Sequence, residues 1–380
     1  MHAVTEPDDR RHLRIAQMCT DFGMGGIARH ALDLGIWLEG HGHGVFLAGT
    51  PGEWAGQRAE DGFLSIPTRY VGGDGGGLVR RLANTGRGAI ALRRWLAASR
   101  IDVIHAHESA PALVALLARM RLNIPLVVTY HGSDPQRIKG FGTIARHADL
   151  VVTPSHRAAE DLAEIAGVPR DKLRVIGLGI KPPPEDSSED VAALRSSLLR
   201  GGSHLIVTLA RVAYQKGIDV LIDCVAAMKD QHPGYRFVVV GDGPLDQQMR
   251  ALVKQRGLQE HLHFAGRTEV PYRYLRAADL MLLTSRWEAL PISIAESLQT
   301  GTPIVATDCS GVHELVDDTV GACVPIGDVA AITQAVERIL EDEQKRSDMA
   351  AQALERSGAN RFDPDHINQQ IEALYLGLVS

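Results

Sequence analysis

Short apolar runs alternate with longer amphipathic stretches along the whole chain, and that alternation leaves few folds open. A strand buried on both faces needs a near-continuous apolar run, and a parallel neighbour needs a helical crossover, so the pattern predicts parallel sheets with helices on both faces. In the first half strands are expected at 13–18, 45–48, 103–105, 126–129, 150–153 and 173–175, with helices clearest at 27–38, 89–98, 112–120 and 158–166. The second half repeats the scheme, with strands at 205–209, 237–240, 262–264, 280–283, 304–306 and 322–324, and helix almost throughout 330–378. Between the two series lies Gly177-Leu-Gly-Ile-Lys-Pro-Pro-Pro-Glu-Asp-Ser-Ser-Glu-Asp190. Three consecutive prolines cannot continue a helix or enter a central strand. The expected boundary therefore falls there, with one doubly wound domain over 1–180 and another over 181–362. Ligands of such sheets bind beyond the carboxyl ends of the strands, so two sheets facing each other would share one site in the cleft between them.

Length and charge agree with two units. The chain has 380 residues, against roughly 150 for a typical domain. Its net charge of −6 is uneven: residues 1–180 carry 21 Lys and Arg against 18 Asp and Glu, and residues 181–380 carry 19 against 28. Cys19, Cys224, Cys309 and Cys323 are far apart and form no CxxC pair, which excludes a disulfide framework and zinc ribbons. No apolar run approaches the roughly 20 residues that span a bilayer, and the charged start carries no signal-like segment. The expectation is a chain that works as it stands, on the cytoplasmic side, with no nucleic-acid partner.

Three segments carry chemistry. Asp21-Phe-Gly-Met-Gly-Gly-Ile-Ala-Arg-His30 follows the first strand and opens a helix, and Gly25 and Gly26 would let backbone amides approach an anion. In Leu209-Ala-Arg-Val-Ala-Tyr-Gln-Lys-Gly-Ile218, Arg211 and Lys216 flank a turn closed by Gly217, so both cations can address one diphosphate. In Thr284-Ser-Arg-Trp-Glu-Ala-Leu-Pro-Ile-Ser-Ile-Ala-Glu296, Pro291 suits the first turn of a helix. Glu288 would lie before that helix and Glu296 two turns inside it, addressing opposite ends of an extended ligand. The first-turn amides around Leu290, Ile292 and Ser293 would be free to meet phosphate.

Taken in order, these segments resemble the retaining glycosyltransferases of family 4. Glu288-x7-Glu296, Thr302-Pro-Ile-Val-Ala306, Gly311-Val-His-Glu-Leu315 and Arg211-x4-Lys216-Gly217 carry the likeness, joined by Val239-Val-Gly-Asp-Gly-Pro244, Asp102-Val-Ile-His-Ala-His107 and Tyr130-His-Gly-Ser-Asp134. The resemblance implies the GT-B fold, two facing Rossmann-like domains, with the nucleotide-sugar donor on the second and the acceptor on the first. It also implies that residues 363–380 cross back to the first domain.

The resemblance gives roles to single residues. Glu288 would meet the sugar hydroxyls and Glu296 the ribose, Arg211 and Lys216 the diphosphate. His131 would reach toward the transferred sugar, and Gly26 would bring its backbone to the phosphate and acceptor. Gly241 and Asp242 would line the cleft beside Leu290, Pro291 and Ile292. The acceptor would be a glycan, a lipid-linked glycan or a small molecule, with no cofactor or metal. Ala210 and Ala289-Leu290-Pro291 replace more glycine-rich stretches of the family, which bears on donor choice.

His105 and His107 could be a metal fragment, but no third ligand stands near them. They, or Glu108, are expected to line the acceptor side or to be satisfied strand-end residues. Six arginines, Arg80, Arg81, Arg87, Arg93, Arg94 and Arg100, stand among Leu82, Ile90, Leu92, Trp95 and Leu96, with no acid over 75–101. A helix over 80–100 of that kind suits either an outer face of the first domain or contact with an anionic membrane. Two other functions share this architecture. A nicotinamide-dependent oxidoreductase would need GxGxxG after the first strand, which Gly23-x-Gly25-Gly26 does not supply. A non-catalytic nucleotide-sugar-binding protein would keep the same fold.

Overall fold

A computed structural model describes residues 11–23, 26–52, 62–71, 76–132, 134–177 and 179–380. The first sheet comprises β1 (Arg14–Asp21), β2 (Gly44–Thr50), β3 (Phe63–Ser65), β4 (Val103–His107), β5 (Leu126–Thr129), β6 (Leu150–Thr153) and β7 (Leu173–Val175). The second comprises β8 (His204–Leu209), β9 (Tyr235–Val240), β10 (Leu262–Gly266), β11 (Leu280–Leu283), β12 (Ile304–Thr307) and β13 (Gly321–Val324). The strand orders are β3-β2-β1-β4-β5-β6-β7 and β10-β9-β8-β11-β12-β13, and all pairs are parallel. Both sheets reverse direction after their first strand, between β1 and β4 and between β8 and β11, where doubly wound folds place their ligands.

The apolar runs became the central strands for the expected reason. Leu126-Val-Val-Thr129 and Leu150-Val-Val-Thr153 are buried at every position, as covering by helices on both faces requires. Every expected strand forms. Two further elements form, the three-residue edge strand β3 and the helix Ile138–Ala145. The arginine-rich helix runs over Leu78–Ala98, starting and ending two residues before the expected 80–100.

The last helix, Pro364–Val379, packs Ile367, Ile371 and Tyr375 into one cluster with Leu13, Ile15 and Leu34 of the first half. Its Glu372 accepts from His43 Nε2 at 2.7 Å, while His43 Nδ1 accepts from the Leu13 amide. The linker and the return path run side by side. A Cβ at Gly177 would meet the Arg361 carbonyl oxygen at 2.3 Å, and one at Gly179 would meet Pro364 Cα at 2.6 Å. Glycine is what permits that backbone contact.

Candidate active site

On the second sheet the site begins where β8 and β11 part. Gly217, at φ 61°, closes a short turn over Tyr214–Lys216 and starts the helix Ile218–Met228. A Cβ there would lie 2.1 Å from the Thr284 carbonyl oxygen, so only glycine lets this loop press against the end of β11. Thr284 Oγ1 donates to the Lys216 and Gly217 carbonyls, the Arg286 amide to Gln215, and the Gln215 side chain to the Trp287 carbonyl at 2.9 Å. Arg286 also grips Asp219 with both nitrogens, at 2.9 and 2.6 Å. Stitched this way, Lys216 Nζ stands 2.5 Å from Glu288 Oε1, which accepts from Ser285 Oγ at 2.7 Å as well. Glu288 is 7% exposed. Arg211 is exposed, and among the described residues its guanidinium has no ion-pair or hydrogen-bond partner, while its carbonyl accepts from the Ala213 amide at 2.8 Å.

Glu296 lies one turn inside the helix Ile292–Thr300, not two, because the helix starts only after Pro291. Burial pushes its carboxyl up to about 7, against a hydrogen bond from the Tyr272 hydroxyl that favours the ionised form. The same burial, with Glu296 beside it, raises the Tyr272 phenol. Leu290 and Pro291 are buried, and the Leu290 side chain belongs to the apolar core. What this stretch can offer an anion is the backbone of the first turn, beside exposed Ile292. Gly241, at φ 134°, sits where a Cβ would meet the Ala210 carbonyl oxygen at 2.2 Å, so it seats the β9 loop on the β8 loop. Asp242 is exposed and faces Arg267 at 3.5 Å.

The first half meets these loops directly. Gly26 opens the helix Gly26–Gly40, and a Cβ there would lie 3.3 Å from Ile292 Cδ1, so two helix N-termini face each other; Gly25 lies outside the described residues. Gly132, at φ 91°, abuts Ala289, whose amide nitrogen a Cβ would approach to 2.8 Å. The loops bearing His131 and Glu288 are therefore in contact. Ser155 Oγ donates to the Ala289 carbonyl at 3.0 Å. The Glu314 carboxylate accepts from the amides of His156 and Arg157 at the start of the helix His156–Glu164, a favourable place for negative charge.

His131 is half-buried and backed by other histidines. Its ring lies 5.4 Å from that of His30, and its Nε2 is 3.2 Å from His107 Nδ1. Burial holds the imidazoles of His131 and His107 well below their ordinary range, His30 at about 4 and His105 at about 3. The acceptor-side reading of His107 is corrected here. It is fully buried with both ring nitrogens bonded, to His131 and to Gln17 Oε1 at 2.7 Å, so it stands behind His131 and does not line the cleft. His105 is likewise a satisfied strand histidine, bonded to Tyr375 and Thr129. Glu108 follows at the end of the same strand. It is part-exposed, takes a strained φ of 96° at the end of β4, and its carboxyl is raised by burial and bonded to Thr20.

Sequence reasoning missed Gln17, His30, Tyr272, Ser285 and Tyr375. Gln17 alone left a trace, a polar residue inside the first apolar run. Among the described residues, no group of three or more His, Cys, Asp or Glu is placed to hold a metal ion.

Residues 24–182 match the family described as Glycosyltransferase Family 4, and residues 192–356 match Glycosyl transferases group 1. The 2-deoxystreptamine glucosyltransferase of Streptomyces kanamyceticus is 30% identical over 279 residues, covering 66% of this chain and 70% of that one. The chain belongs to the GT-B glycosyltransferases of family 4. This family 4 glycosyltransferase is also similar to the phosphatidyl-myo-inositol mannosyltransferase of Mycolicibacterium smegmatis, 27% identical over 381 residues with 96% and 93% of the two chains covered. In fold it matches HepE of Anabaena, solved with UDP-glucose, at a TM-score of 0.80 and 21% identity over 96% of this chain and all of that one. Two Rossmann-like domains in the GT-B arrangement thus replace the pattern-level description, and the nicotinamide alternative falls. Family 4 membership makes the chain an enzyme of sugar transfer.

Proposed function

We propose that this glycosyltransferase moves a sugar, with retention and without a divalent metal, from a nucleoside diphosphate sugar held by the second domain to a hydroxyl presented by the first. The acceptor is a glycan, a lipid-linked glycan or a small molecule. The observation that carries this reading is the Lys216–Glu288 pair beneath the His131–Gly132 loop. A cation suited to phosphate and a carboxylate suited to sugar hydroxyls lie side by side, so the bond between sugar and diphosphate would fall between them. Arg211, Lys216 and the first-turn amides of the helix Ile292–Thr300 would take up the charge of the leaving diphosphate, a role worth about 3 kcal/mol per well-placed donor. Glu296 would bind the ribose, and Gly26 would bring its backbone to the phosphate. Glu288 is engaged by Lys216 and Ser285 and so is poorly disposed to attack a sugar. Retention would follow from acceptor attack on the face the diphosphate leaves, the leaving oxygen taking the acceptor proton. Glu108 would lie on the acceptor side.

The acceptor also has a natural approach. On the helix Leu78–Ala98, Val79, Leu82 and Ile90 form an exposed apolar stripe, Val79 at 82%, with exposed Arg80, Arg87 and Arg94 recurring every seventh residue beside it. That face suits shallow contact with an anionic bilayer on the cytoplasmic side. Among the described residues, no helix is long and apolar enough to cross a membrane.

The test is a thermal-shift panel of UDP, GDP, ADP and dTDP, UDP first because HepE was solved with UDP-glucose. A cognate nucleotide at 100 times its dissociation constant should stabilise the protein by about 2.7 kcal/mol. Its sugar should then release nucleotide only when acceptor is present. A flat response to all four would overturn the donor site, and binding without turnover across a broad acceptor panel would leave a binding protein on an enzyme's fold.

A further inference from the structure

A line of buried hydrogen bonds runs from the cleft to the last helix. His131 Nε2 meets His107 Nδ1 at 3.2 Å, and His107 Nε2 meets Gln17 Oε1 at 2.7 Å. Gln17 Nε2 reaches the Tyr375 hydroxyl at 3.3 Å, which lies 2.5 Å from His105 Nδ1, and His105 Nε2 is 2.6 Å from Thr129 Oγ1. Gln17, His105, His107 and Tyr375 are all 0% exposed, so water does not compete for these bonds.

The direction of the line follows from what each atom can do. A neutral imidazole has one donor and one acceptor nitrogen, whereas an amide oxygen only accepts and an amide nitrogen only donates. Gln17 Oε1 faces His107 Nε2, so that nitrogen carries the proton and His107 Nδ1 accepts. His131 must then donate from Nε2, which leaves its Nδ1 unprotonated. On the other side Gln17 donates to the Tyr375 oxygen, Tyr375 donates to His105 Nδ1, and His105 donates to Thr129. Both ring nitrogens of His105 and His107 are used and no charge is required. Turning the Gln17 amide over would reverse each bond and move the proton of His131 to Nδ1. The line therefore has two self-consistent directions whose members switch together, and the amide stands at its middle.

We infer that Gln17 and Tyr375 are positioning residues that act through His107 to hold His131 as a single neutral tautomer, the one protonated on Nε2 when the Gln17 amide faces as it does here. This rests on the reading of His131 as a residue of the sugar-transfer site. Which nitrogen of a histidine accepts and which donates is set by the bond its other nitrogen makes. Here that bond is governed from the last helix, 358 residues from Gln17 in sequence. The crossing of the chain back to the first domain thereby becomes part of the site and not merely a cover for the sheet.

The test uses the full chain with ¹⁵N-labelled histidine. In the unaltered protein the His131 ring should show one neutral tautomer, Nε2 protonated and Nδ1 bare. Gln17→Leu should give a mixture of the two tautomers and lower kcat by about ten- to a hundredfold, the usual cost of losing a group that orients a functional imidazole, with KM for the donor little changed. Tyr375→Phe, which removes one oxygen, should act like Gln17→Leu in milder form, and it supplies the same readouts if Gln17→Leu does not fold. A Gln17→Leu or Tyr375→Phe protein whose His131 tautomer is unchanged would overturn the inference whatever its activity. Failure of every nucleotide to bind the unaltered protein would instead strike the functional reading and leave the tautomer result standing.

Discussion

The two sheets have the same winding, yet their strand ends do opposite chemistry. On the first, β1, β4 and β5 end beside a network of histidine rings, His105 and His107 buried, and His131 and the helical His30 half-buried. On the second, β8 and β11 end in ions: Arg211, Lys216 and Glu288, with Glu296 on the helix that follows. Net charge alone misleads here, because the acidic half is the one that offers cations to the cleft. The difference teaches that a doubly wound sheet supplies positions, and that a few side chains at those positions decide what each half can bind.

The largest test of that division is Lys216→Ala. If the second half handles a departing diphosphate, kcat should fall by about 10²–10³, as for loss of one preorganised charge donor. Steady-state transfer with the cognate donor measures it, and near-normal turnover would break the assignment.

Gly132→Ala strikes the seam between the halves. At φ 91° and 2.8 Å from the Ala289 amide, an added methyl has no room. Destabilisation of about 1–3 kcal/mol is expected in denaturant unfolding, together with loss of transfer. Full stability with full activity would mean that the two loops need not touch.

Opposite pH dependence separates the halves more finely. Unfolded histidines take up protons near 6.5, but the four buried rings of the first half resist protonation. Their contribution to stability is whole above that pH and is lost as pH falls below it. Glu296 runs the other way. Its folded carboxyl keeps a proton up to about 7, whereas the unfolded one releases it near 4.5, so stability is lost as pH rises through that window. Glu296→Gln should therefore stabilise the protein by about 1–2 kcal/mol near pH 8, and the gain should vanish by about pH 5. Thermal melts across that range decide it, and an equal gain at every pH would place the cause elsewhere. The same variant should weaken nucleotide binding.

The smallest effect belongs to the outer face of the first half. Arg87→Gln should weaken binding to vesicles containing anionic lipid by about 1 kcal/mol, roughly fivefold, and leave transfer to a soluble acceptor unchanged. Sedimentation with such vesicles at low salt tests it. No retention of the unaltered protein would remove the membrane from its partners.

Much of the second half's site was legible in the chain because its parts are local. Glu288 and Glu296 share one strand-turn-helix segment, and Lys216 follows its own strand by a few residues, so spacing and turn residues place them. Even there, locality misjudged the helix start, which falls only after Pro291. The first half was read less well. His107 looked like a lining residue because a strand end is visible in sequence, whereas the partner that draws its ring inward is not.

The alternation of apolar runs with amphipathic stretches, broken by Pro182-Pro183-Pro184, by itself determined two parallel, helix-covered sheets, because burial on both faces and chain crossover are demands met within a few tens of residues. Only the tertiary structure decided which nitrogen of His131 is bonded, which acid keeps its proton, and which loops of the two halves touch. Those outcomes depend on pairs such as Gln17 with Tyr375, Glu296 with Tyr272 and Gly132 with Ala289. Local periodicity says nothing about such pairs, and it is folding into a low-dielectric interior that makes their hydrogen bonds and proton affinities what they are.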